Sequence, residues 1–152
     1  MNGIFKDLIL ISLSLIILFS IKKTIIMKKI IFTDKAPAPI GPYNQAVLSG
    51  NTLYASGQIA INPASGELVT ENINDETTQV MNNIAAILEA ANMTFESVVK
   101  ATIFIMDMNN FAAINAIYGS YFDEKTAPAR ETVQVACLPK NVNVEISIIA
   151  VQ

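Results

Sequence analysis

Two periodicities alternate along this chain. In Val142 to Val151 polar and apolar positions alternate by two, with Asn143, Glu145 and Ser147 on one face against Val144, Ile146 and Ile148 on the other, the pattern of a half-buried strand. Val80, Ile84, Ile87, Leu88 and Ala91 instead recur at helical spacing, which predicts a helix capped by Asn74 or Asp75 and running through Ala91. Lys28 to Thr33 reads as a short first strand, and the prolines of Ala36-Pro37-Ala38-Pro39 hold the next residues extended. Gln45 to Ser49 and Thr52 to Ile61 are strand-like runs joined at Gly50-Asn51, the composition of a hairpin turn. A turn at Asn62 to Gly66 follows, with Glu67 to Thr70 as an edge segment.

Val98 to Met106 is apolar on both strand faces, so it belongs at the centre of a sheet. Asn109 or Asn110 then caps a second helix, whose stripe of Phe111, Ile114, Ile117, Tyr118 and Tyr121 reads as core. After Pro128 another strand places Arg130, Thr132 and Gln134 on one face and Val133 and Val135 on the other, and a turn at Leu138 to Asn141 leads to the last strand. Strands, helix, strand, helix, strands make an α+β layer with two helices on one sheet face. Apolar residues on the other face would need burial in an oligomer, for which a closed symmetric ring is the usual solution.

The first 26 residues differ from the rest. Leu8 to Ile21 is an apolar and serine run flanked by Lys6 and Asp7 before it and by Lys22 and Lys23 after it. It is short for a membrane-spanning helix, which takes roughly 17 to 25 apolar residues. It also lacks the small residues of a signal-peptide cleavage site. The favoured expectation is that the working chain starts at Met27, making residues 1–26 a hydrophobic extension and residues 27–152 one domain in the cytosol. A membrane-tethered form is the weaker alternative.

Composition narrows the chemistry. With no histidine in 152 residues, Ser-His-Asp triads, histidine-ligated zinc and histidine bases are excluded. A single cysteine, Cys137, excludes an intramolecular disulfide. Lys6, Lys22 and Lys23 against Asp7 leave the first 26 residues at +2 and the remainder at −5, an acidic body without the basic stripe of a nucleic-acid binder. Neither a glycine-rich phosphate loop nor a dinucleotide fingerprint occurs, and no cofactor is assigned.

The charged residue that stands out is Arg130, because a guanidinium holds a carboxylate through two parallel hydrogen bonds and keeps its charge. Its setting, PARETVQVACLPK from Pro128 to Lys140, resembles the signature of the RidA/YjgF family of enamine and imine deaminases. Ala38 to Gln45 (APIGPYNQ) and Ser56 to Ile59 (SGQI) match the same family in the same order, and the resemblance covers about Met27 to Gln152. It implies a chorismate-mutase-like homotrimer with sites in the clefts between subunits. It also implies hydrolysis of 2-imino acids, the products of serine or threonine dehydration, to 2-keto acids and ammonia.

On that resemblance Arg130 clamps the substrate carboxylate, Glu145 orients or deprotonates water, and Tyr43 covers the ligand or donates its hydroxyl. Ser56 and Gly57 line the pocket, Asn115 faces the cleft, and Thr132 stands where many deaminases carry cysteine, which excludes a thiol mechanism at that position. Relatives have been linked to RNA cleavage, which this composition does not favour. The alternative from another class is a trimeric binder of small carboxylates, or a chaperone-like protein, without turnover. Strand counting leaves open whether Arg130 and Glu145 share a sheet face, since one step of register would separate them.

Overall fold

The computed structural model describes residues 28–152, so the hydrophobic extension and the start at Met27 lie outside the described residues. Six strands form one sheet: β1 (Lys28–Ile31), β2 (Ala46–Ser49), β3 (Thr52–Gln58), β4 (Val98–Ile105), β5 (Ala129–Gln134) and β6 (Val144–Val151). Two helices, α1 (Ile73–Ala90) and α2 (Phe111–Gly119), pack on it. Among the described residues no helix is long and apolar enough to cross a membrane.

The strand order is β1-β2-β3-β6-β4-β5. All neighbours are antiparallel except β4 and β5, whose parallel pairing is what a helical crossover through α2 produces. The last strand therefore enters the middle of the sheet, between the hairpin and β4. Its alternation is carried through: Val144, Ile146, Ile148 and Ala150 are buried on the helix side with Ala101, Ile103 and Ile105 of β4. Ile84, Ile87 and Leu88 of α1 and Ile114 and Tyr118 of α2 complete that core. On the other side no element of the described chain covers the sheet, and Tyr54 and Val133 stay half exposed there.

Three buried polar side chains tie the layers together. Gln45 accepts from the Thr33 amide at 2.8 Å and donates to the carbonyls of Thr33, Ala36 and Pro37. That bonding diverts the chain from pairing, so β1 ends at Ile31 and not at Thr33, and β2 starts one residue after Gln45. Asn83 of α1 donates to the carbonyls of Ile59 and Ile61, where β3 has run out of partners. Glu76, fully buried in the first turn of α1, accepts from the Asn143 amide at 2.6 Å, the Asn143 side chain at 2.8 Å and the Val144 amide.

Helix boundaries depart from the periodicity in detail. The cap of α1 is Asn72, whose side chain accepts from the amides of Asn74 and Asp75; those two expected caps are first-turn residues instead. Asp107 caps a short 3₁₀ turn at Met108–Asn110 that feeds α2, and Asn110 makes no capping bond with its side chain. Because α2 stops at Gly119, Tyr121 falls past its end and packs against Phe95, ring centroids 5.0 Å apart. Glu67 to Thr70 supplies only a bridge from Leu68 to Ile61.

Glu76→Ala leaves two backbone amides and one side-chain amide of the β6 entrance without an acceptor. It is expected to cost about 3 kcal/mol, read as a lower urea midpoint at unchanged slope.

Candidate functional site

Glu145 points to the uncovered side of the sheet, between buried Val144 and Ile146. Beside it β3 carries a bulge that faces Ser147, the next residue on the same side: Ala55 pairs with Ile148 and Gln58 with Ile146, so Ser56 and Gly57 share the space of one residue. A Cβ built on Gly57 would sit 2.6 Å from Cδ of Glu145 and 2.9 Å from its Cγ, so only glycine lets the carboxylate lie against the bulge. A cavity of about 340 Å³ opens beside it, walled by Pro37, Tyr43, Ile59 and Pro139 with Glu145 and Gly57. Pro139 reaches that wall through a turn in which Lys140 and Asn141 take left-handed φ of 57° and 56°. Burial in this largely apolar setting raises the carboxyl pKa of Glu145 above its ordinary value.

The other residues around this cavity divide by what they do. Tyr43 is 47% exposed and its hydroxyl accepts from the Ile40 amide at 3.4 Å, so the ring is free to stand over the opening. Ser56 borders the cavity, but its hydroxyl donates to the Asn44 carbonyl at 2.7 Å, which makes it a fastener of the loop before β2. Gln45 also borders the cavity. Its contribution is the position of Pro37, a role that its place at the end of APIGPYNQ did not disclose.

Arg130 lies elsewhere. It pairs in register with Ala101, whose side chain is buried on the helix face, whereas Glu145 pairs with Phe104 on the other face. Arg130 and Glu145 are therefore on opposite faces of the sheet, and β4 runs between their strands. The guanidinium Nη1 donates to the Asn115 side chain at 2.6 Å, and its carbon stands 5.1 Å from the Tyr118 ring and 5.8 Å from the Phe111 ring. A second cleft of about 540 Å³ opens here, lined by Arg130, Asn115, Tyr118 and Pro128.

Thr132 follows on the same face as Arg130, in register with buried Ile103; its hydroxyl is buried with no hydrogen-bond partner, as is that of Tyr118. Burial lifts the Tyr118 phenol to about 12, against the lowering effect of Arg130. Seven candidate residues thus fall into two groups: Tyr43, Ser56, Gly57 and Glu145 around one cavity, and Asn115, Arg130 and Thr132 at the other cleft. Among the described residues no cluster of acidic or cysteine side chains could hold a metal ion.

Comparison with known proteins agrees with this fold. The family model described as Endoribonuclease L-PSP matches residues 33–152. A RutC family protein of Synechocystis is 53% identical over 124 residues, 81% of this chain and 95% of the relative. The 2-iminobutanoate/2-iminopropanoate deaminase of Capra hircus is 50% identical over 127 residues, 84% of this chain and 92% of that enzyme. Among solved structures, E. coli TdcF with bound serine superposes with a TM-score of 0.77 at 44% identity, over 82% of this chain and 98% of that one.

A carboxyl group whose pKa is raised by folding is more readily protonated in the native state. The stability this gives is complete below the unfolded value near 4.5 and is lost as pH climbs through the higher native value. Thermal melts from acid toward neutral pH are expected to show that loss in the parent and a shallower one in Glu145→Gln.

Proposed function

We propose that this chain, which belongs to the RidA/YjgF family, hydrolyses small 2-imino acids such as 2-iminobutanoate and 2-iminopropanoate to 2-keto acids and ammonia. The observation that carries this is the carboxylate of Glu145, half buried and raised in pKa, fitted against a glycine bulge at the edge of an apolar cavity. Such a group takes a proton from water at moderate pH and gives it back, which is the service imine hydrolysis needs. Arg130, with its charge opposed by no carboxylate partner among the described residues, supports the other half, since a 2-imino acid carries a carboxylate next to its electrophilic carbon.

Because the two halves occupy opposite faces of one sheet, the complete site is assembled from two copies, Arg130 from one and Glu145 with Gly57 and Tyr43 from its neighbour. The uncovered face carrying Tyr54, Val133 and Glu145 is where the neighbour packs, and a closed homotrimer satisfies every copy equally. In the site Arg130 fixes the carboxylate and Glu145 removes a proton from the water that attacks C2. That proton passes to the imine nitrogen as the π bond becomes a C–N single bond, giving a carbinolamine. Its hydroxyl then gives its proton to Glu145, which passes it to the amine nitrogen as the C–N bond breaks with its electron pair going to nitrogen, and ammonia leaves the 2-keto acid. The reaction consumes one water and changes no oxidation state.

The same arrangement would hold a small carboxylate without turnover, a reading favoured by the serine in the E. coli TdcF structure. Keto-acid release from imines made in situ by a threonine dehydratase separates the two. Acceleration over spontaneous decay is expected for the parent, with Arg130→Ala and Glu145→Gln each returned to the background rate. No acceleration by the parent would leave the binding reading standing. Refolding the two inactive variants together is expected to restore activity at about one site in four, because only an interface pairing the intact half of each works; a site contained in one chain would gain nothing. Gly57→Ala should displace the Glu145 carboxylate and lower kcat on the order of 100-fold while the melting temperature stays within a few degrees.

A further inference from the structure

Arg130 is held in a way that leaves its charge available. Among the described residues its guanidinium has no carboxylate partner and one hydrogen-bond acceptor, the neutral amide of Asn115. The rings of Phe111 and Tyr118 stand over it, and Glu124, the carboxylate that lines the same cleft, forms no ion pair with it. These residues are spaced i, i+4 and i+7 along α2, so one helical stripe presents ring, amide and ring to the same cation. Rings attract the face of a guanidinium and make no use of its in-plane N–H groups. Apart from the Nη1–H given to Asn115, the donors that would grip a carboxylate therefore stay free.

The residue best placed by sequence to neutralise Arg130 is disposed of separately. Glu131 is its immediate neighbour, but strand alternation sends its side chain to the other face, where it pairs with Lys100 and accepts from the Thr102 hydroxyl at 2.7 Å. Those bonds hold its carboxyl below its ordinary pKa, so it remains charged and engaged there. The hydroxyl of Tyr118, buried and without a partner, makes no bond that would compete for Arg130, and what the residue offers the cation is its ring.

We propose that Phe111 and Tyr118 are positioning residues that, with Asn115, clamp the Arg130 guanidinium by its face and so set the affinity of the site for the substrate carboxylate. This rests on the reading that Arg130 receives that carboxylate. It also gives a job to two members of an aromatic stripe that periodicity assigns wholly to the core: Tyr118 is 4% exposed and does pack inside, but Phe111 is 38% exposed and its outward ring serves the arginine.

The probe is 2-oxobutanoate, the keto acid corresponding to 2-iminobutanoate, titrated calorimetrically into the intact assembled protein. Phe111→Leu and Tyr118→Leu are each expected to weaken binding roughly three- to tenfold, with KM raised by the same factor and kcat retained, and Tyr118→Phe to recover parental affinity. Phe111 is exposed enough that its variant folds, so a folded Phe111→Leu protein with parental affinity overturns the proposal, as does a Tyr118→Phe protein as weak as Tyr118→Leu. If the parent itself fails to bind 2-oxobutanoate, it is the functional reading that fails, and the Arg130 Nε–H resonance still decides the clamp. A sharp, slowly exchanging signal in the parent that broadens in both leucine variants supports it; the same signal in all three overturns it.

Discussion

A sheet of six strands with only two helices to cover it has one dry face and one open face, and the rest of the structure depends on that asymmetry. β6 expresses it most directly, since in a strand laid between β3 and β4 every second residue enters the core and every other one is offered outward. The inward set of Val144, Ile146, Ile148 and Ala150 supplies the burial that holds the strand in place. Glu145 is carried to the open face as a consequence, at a fixed height where its side chain lies against Gly57 of the bulge. The buried carboxylate of Glu76 pins the entrance of the same strand only one and two residues earlier, so the anchor of the fold and the placement of Glu145 are one construction.

Much of this was legible in the residues, and what was not has a common cause. The helix stripe from Val80 to Ala91 and the outward set of Asn143, Glu145 and Ser147 are periodic signals, and periodicity needs no knowledge of the partner surface. The facing of Arg130 relative to Glu145 is different in kind, because it depends on an intervening strand and on one parallel and one antiparallel register that no local pattern carries. Asn72, Asn74 and Asp75 all have side chains able to cap a helix, and it is Asn72, with extended backbone, that accepts from the amides of the other two. Glu76 reads in sequence as an ordinary acidic residue in a first turn. Its real partners, at Asn143 and Val144, are some 67 residues away along the chain.

The resemblance motifs divide in an instructive way once the contacts are known. Within APIGPYNQ the tyrosine stands at the cavity, and the glutamine holds the Ala36 and Pro37 carbonyls, fixing the wall residue just ahead of the motif. Within SGQI the glycine is indispensable for its missing Cβ, whereas the serine hydroxyl is committed to the Asn44 carbonyl. A motif therefore marks a neighbourhood of constraint and does not separate chemistry from scaffolding. Thr132 shows the converse: the resemblance sets it beside the ligand, yet its hydroxyl is buried without a partner on the face that carries buried Ile103.

Placing Arg130 and Glu145 on opposite faces has an electrostatic consequence that a single-chain site could not reproduce. Were they neighbours on one face of one chain, the guanidinium would pair with the carboxylate. That pairing would draw the glutamate pKa down and occupy guanidinium donors that no carboxylate takes here. Keeping them apart lets each be tuned alone: aromatic rings and a neutral amide support the arginine without cancelling its charge, and a glycine bulge in an apolar wall keeps the glutamate basic. In the proposed assembly the two meet only across a subunit boundary, where a ligand carboxylate inserted between them engages the cation and leaves the glutamate to handle the proton.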